Sequence, residues 1–172
     1  MEQMMNSVFH LRPCRAHEVQ GSGRMFFALW QAQRYESAVW ISPDLASEIP
    51  LAPSVTFVKA AGLDILWAAE EALRGLPHAL VIAQPEAPLS LTAGRRFQLA
   101  AEAGGTTGLL LVQPGAGSPA TETRWDCEAL PSPDSTLHRW SLIKNKKGTC
   151  GEWTLNWDGT SASLHMLSAA GQ

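Results

Sequence analysis

Short apolar runs alternate with segments of helical periodicity along most of the chain, which predicts β-α units around a mainly parallel sheet. A helix from about Arg24 to Glu36 follows the loop Gly21-Ser22-Gly23. Ala38 to Ile41 and Val55 to Ala60 then read as buried strands, joined through Pro43, Pro50 and Pro53 by a loop rather than a helix. Leu63 to Arg74 is a helix leading into the strand Ala79 to Gln84. Another helix begins near Ser90 or Thr92, either of which can cap it, and stops at Gly104-Gly105, where glycine tolerates the left-handed terminal conformation. The strand Thr107 to Gln113 follows.

After Pro114 the pattern changes. Gly115, Gly117, Ser118 and Pro119 mark a loop, and no helix separates the strands Glu122 to Glu128, Leu137 to Lys144 and Glu152 to Trp157. An antiparallel edge is expected there, its last two strands forming a hairpin that turns through Asn145 to Gly151. The fold expected from this order is α/β, a mainly parallel sheet flanked by helices with a C-terminal antiparallel hairpin. Residues 1–159 form one domain, and 160–172, small and polar around Leu164, Met166 and Leu167, form a tail that is either disordered or weakly docked.

On the helix from Leu63, residues Ile65, Leu66, Ala69, Ala72, Leu73 and Leu76 make one apolar stripe, while Asp64, Glu70, Glu71 and Arg74 gather opposite. At about 100° per residue Trp67 falls in the middle of the charged side. A large aromatic there is either covered by a loop, the reading favoured because single exposed apolar residues are normal, or a candidate exposed contact for a partner.

Composition narrows the function classes. A chain of 172 residues suits one domain; 45% hydrophobic residues, seven tryptophans and only 17% charged residues, against a usual value of about 25%, exclude disorder. A net charge of -3 argues against a surface that is everywhere a nucleic-acid footprint and confines any polyanion to one face. No apolar run is long enough for a bilayer, and Met1 to Ser7 lacks a basic region followed by an apolar one, so the expected compartment is the cytoplasm. Cys14, Cys127 and Cys150 suit reduced thiols. His10, Cys14 and His17 have metal-like spacing but no second ligand pair, and no metal is expected.

The loop Gly21-Ser22-Gly23-Arg24 occupies the position of a phosphate loop without its chemistry. Its glycines are too close together, Arg24 stands where the lysine belongs, Met25 replaces the hydroxyl, and Phe26 replaces the third glycine of a dinucleotide fingerprint. ATP binding is therefore not expected, although the helix N-terminus can still attract an anion. The strand at Ala79 ends in Gln84, an amide where a nucleotide hydrolase needs a carboxylate, and Glu86 beyond it reads as solvated. No nucleophile elbow is present, and His78, His138 and His165 read as surface or boundary residues. No catalytic residue is assigned and the chain reads as a non-enzyme. Positive charge says more: Arg139, Lys144, Lys146 and Lys147 lie on or near the hairpin tip and Arg95-Arg96 form a pair, candidates for an anion or an acidic partner, or else a solvated turn. DNA contact through them is expected to be weak or indirect, for no aromatic stands clearly beside them.

From about Arg15 to Asp158 the sequence resembles the RecA-like core, and within it the inducible-mutagenesis A family, also labelled SulA-like, of the bacterial translesion mutasome. The resemblance lies in His17-Glu18-Val19-Gln20-Gly21, Leu66-Trp67-Ala68-Ala69-Glu70-Glu71-Ala72-Leu73, the stretch Leu91 to Glu102, Thr123-Arg124-Trp125 and Arg139-Trp140. Lys144-Asn145-Lys146 is similar to the lysine-asparagine-lysine element of RecA, whose lysines face nucleotide at a protomer interface. The departures are the eroded phosphate loop, the lack of a glutamate in Ser42-Pro43-Asp44, the short loop Pro114 to Thr121 and the little chain before Arg15. The resemblance implies a non-catalytic adaptor of the SOS response, acting in DNA repair by translesion synthesis. Its implied partners are a Y-family polymerase homologue, an error-prone replicative-type polymerase and RecA, with no membrane involved. The alternatives are a SulA-like inhibitor of cell division and a degenerate nucleotide-binding switch using Arg24, Lys144 and Lys146.

Overall fold

The computed structural model describes residues 7–44, 54–159 and 164–171. In chain order its elements are a 3₁₀ turn Ser7–Phe9, β1 Ala16–Gln20, α1 Arg24–Ala32, β2 Ala38–Ser42, β3 Val55–Lys59, α2 Leu63–Gly75, β4 Leu80–Ala83, α3 Leu91–Gly104, β5 Thr107–Leu111, β6 Thr123–Ala129, β7 Leu137–Asn145, β8 Gly151–Asn156 and β9 His165–Gly171. The described strands form one nine-stranded sheet in the order β3-β2-β4-β5-β1-β6-β7-β8-β9. Neighbours are parallel from β3 to β6 and antiparallel from β6 to β9.

Alternation along the strands sends side chains into two cores. Leu80 and Ile82 of β4 join Phe27 and Trp30 of α1 on one face, whereas Val81 and Ala83 join Ile65, Ala69 and Leu73 of α2 and Phe97 of α3 on the other. The first core is strongly aromatic. Phe9 sits at its centre, with ring centroids 5.1 Å from Trp140, 5.4 Å from Trp153, and 5.8 Å from both Trp30 and Trp125. Gln31 of α1 anchors this turn by donating to the Phe9 carbonyl at 2.6 Å.

Several expectations are corrected. β6 is not part of a purely antiparallel edge: it pairs in parallel with β1, Glu18 opposite Arg124, even though the connection from β5 contains no helix. β3 is half-exposed rather than buried, because it forms the edge of the sheet. α1 stops short of Glu36, and hydrogen-bonded turns take over from Gln33 to Tyr35. His165–Gly171, expected within a tail, pairs as β9 with β8. The prolines Pro50 and Pro53 lie outside the described residues.

Helices α2 and α3 converge at their C-terminal ends. A Cβ on Gly104 would lie 1.8 Å from the Leu73 carbonyl oxygen, and the Thr106 hydroxyl donates to that same oxygen at 2.7 Å. Gly105, at φ 64°, then terminates α3 as expected, and Ser90 caps its start by accepting from the Ala93 N–H at 3.0 Å. Gly104→Ala should therefore cost about 1–3 kcal/mol despite alanine's better helix propensity, read as a lower urea midpoint. The obstructing atoms are backbone and cannot rotate away.

Candidate protein-interaction surface

While the C-terminal ends of α2 and α3 touch, a groove of about 350 Å³ opens between their N-terminal halves. Gly62 begins α2, and its N–H is taken by the Glu86 carboxylate at 2.6 Å, so Glu86 is exposed yet tethered. This carboxylate also complements the positive end of the helix. One turn into α2, Leu63 and Trp67 point outward at i and i+4 and are 81% and 66% exposed. The favoured expectation of a covering loop for Trp67 is not met. Leu66, Ala93 and Phe97 line the groove with Trp67, while Arg96 closes it by pairing with Glu70 at 2.8 Å. Leu91 and Leu99, 42% and 60% exposed, continue the apolar surface along the other flank of α3.

The phosphate-loop position does something else here. Gly23 N–H donates to the Cys127 carbonyl at 2.7 Å, Arg24 N–H and the Arg24 guanidinium both donate to the Gly21 carbonyl, and Ser22 Oγ accepts from Ala129 N–H. A Cβ on Gly21, which has φ 97°, would fall 2.3 Å from the Cys127 oxygen. The Gly23 N–H, the Ser22 hydroxyl oxygen and the space over Gly21 are thus engaged with β6, while both Arg24 donors turn back onto Gly21, so the loop ties the start of α1 to the sheet. Sequence reading saw the lost motif and missed what replaced it.

The basic residues do not form one cluster. Arg139 pairs with Glu128 at 3.2 Å, Arg96 is bound to Glu70, and Lys144 and Lys146 turn toward the loop between β5 and β6. Lys144 donates to the Ser118 and Pro119 carbonyls, and Lys146 to that of Ala120. Lys147 stays exposed in the turn, and Arg95 shares a cleft with Lys146.

Beneath that loop lies a buried polar network that sequence reasoning did not find. Glu18 is fully buried on β1; it accepts from Ser118 N–H, the Thr121 hydroxyl and the Arg124 guanidinium, the last at 2.9 Å. Glu122 is nearly buried and holds Arg12 at 3.0 Å. His17 is buried too, its Nε2 donating to the Arg12 carbonyl and its Nδ1 therefore accepting from the Thr123 hydroxyl. Burial, slightly offset by that carbonyl and by Glu122, pulls the His17 pKa down to about 4. His138, expected near the surface, is buried against Phe26, and burial lowers its pKa as well. Among the described residues no group of three or more His, Cys, Asp or Glu is placed to hold a metal ion, and no helix is long and apolar enough to cross a membrane.

Fold and site together describe an α/β protein whose outward-facing chemistry is an apolar helix-pair groove. No protein-family model and no curated protein matches the chain. Among solved structures it is similar to the crystal structure of SulA from Pseudomonas aeruginosa, at 21% identity and a TM-score of 0.46, over 56% of this chain and 95% of that chain.

Proposed function

We propose that the chain is a non-enzymatic adaptor with a RecA-like core, which docks a partner protein in the groove between α2 and α3. The partner is the Y-family polymerase homologue that the resemblance to inducible-mutagenesis A implies, and the setting is damage-induced translesion synthesis. The observation that carries this reading is the outward projection of Trp67 beside Leu63 over an apolar groove. A tryptophan in that setting offers a large desolvation gain to a partner and is of the type that dominates interfaces. The commitment of the Gly21 to Arg24 loop to β6 supports a role through surface rather than through nucleotide turnover.

Pull-down and titration against the polymerase homologue test it. A complex should form at micromolar concentrations or below, and Trp67→Ala should weaken it by about thirtyfold, the effect of losing roughly 2 kcal/mol at a central contact. Absence of any complex would sink the reading. Filamentous cells on overexpression, with no such complex, would instead support a SulA-like inhibitor of division, and heat on mixing with ATP and magnesium would support the nucleotide switch.

A further inference from the structure

Although the chain is acidic overall at -3, one corner of it is cationic. Where the loop between β5 and β6 meets α3 and β7, Arg124 stands beside Glu18 and Arg12 beside Glu122, and both carboxylates are buried and already bonded. Around them Lys144, Lys146, Lys147 and Arg95 have no carboxylate within ion-pair distance among the described residues. Lys144 turns inward onto the loop, whereas Arg95, Lys146 and Lys147 are exposed and leave excess positive charge on the surface.

A cleft of about 470 Å³ opens at this corner, on the flank of α3 away from Trp67. Its floor is aliphatic, made by Leu91, Leu99, Pro119 and Ala120, and its rim carries Arg95 and Lys146. Lys146 is held in place by the Ala120 carbonyl at 2.6 Å, which Gln98 shares at 3.1 Å. One cation is therefore preorganised, and Arg95 faces it without a bond of its own among the described residues.

We propose that this cleft binds an acidic peptide segment bearing an aliphatic or aromatic anchor. The anchor fills the space over Leu91, Leu99 and Pro119, while flanking carboxylates meet Arg95, Lys146 and Lys147. Charge complementarity selects the occupant. A single nucleic-acid strand would want aromatic side chains on which bases stack, and the cleft is lined by none. The site does not rest on the adaptor reading, since it uses the opposite flank of α3.

The test is fluorescence anisotropy of a labelled peptide repeating Asp-Glu-Leu-Phe, titrated with the full chain, with oligo-dT of equal length as competitor. Binding should weaken with added salt, fall about tenfold in Arg95→Glu and again in Lys147→Glu, and stay unchanged in Trp67→Ala. Among the described residues neither the Arg95 nor the Lys147 side chain makes a hydrogen bond or ion pair, and thermal unfolding of each variant verifies that it stays folded. No binding at micromolar concentration, binding indifferent to Arg95→Glu, loss in Trp67→Ala, or displacement by oligo-dT that itself binds more tightly would each overturn the proposal.

Discussion

Replacing Arg124 by methionine should destabilise the protein by about 3–5 kcal/mol, measured as a lower urea midpoint. The pair it forms with Glu18 arises from the sheet itself, because parallel pairing of β1 with β6 sets the two residues side by side. Glu18 is fully buried, so removing its cation leaves a carboxylate that water cannot reach. Ser118 N–H and the Thr121 hydroxyl remain as donors, but neither supplies charge. The double variant Glu18→Gln with Arg124→Met should recover part of the loss, since the charge is gone while the amide oxygen still accepts. Equal stability of the single and double variants would show that the cost is mere lost packing. Against a typical total of about 5–15 kcal/mol, the single change brings the fold close to its limit.

Stability should also drop by about 3 kcal/mol on acidification from pH 6.5 to 4, through His17 alone. In the unfolded chain this imidazole takes a proton near 6.5; in the folded protein burial holds its pKa at about 4. The unfolded state thus binds more protons throughout that interval, so the contribution is fully present above 6.5, declines as pH falls, and is gone below about 4. Burial carries this sign, because charging the imidazole inside the fold loses hydration that its two partners, the Arg12 carbonyl and the Thr123 hydroxyl, do not replace. His138 acts in the same direction. Urea midpoints across this range, compared with His17→Gln, isolate the effect; an unchanged slope in the variant would refute it.

Element order was legible because β-α alternation and helix punctuation are local. The Ser90 cap and the Gly105 stop fell where turn chemistry puts them. The parallel partner of β6 was not legible, since parallel pairing is normally betrayed by a crossover helix and here residues 112–122 cross without one. Glu18 escaped notice for the same reason. On its own strand it is one polar residue among others, and only Arg124 and the loop from Ser118 to Thr121, 100 or more positions away, make its burial tolerable. Trp67 is the converse: periodicity placed it on the polar side of α2 correctly, but whether a loop covers it depends on tertiary neighbours. The basic residues were visible as a sequence cluster, yet strand direction separates Arg139 from the lysines, and only the packing of α3 brings Arg95 to Lys146.

The placement of the tryptophans has an optical consequence. Trp30, Trp40, Trp125, Trp140 and Trp157 are buried, Trp153 is partly covered, and Trp67 alone stands in solvent. Blue-shifted emission thus belongs to the interior, whereas the red edge of the spectrum and its quenching by iodide come from one indole on the docking groove. Without any label, the chain reports the wetting of its own groove.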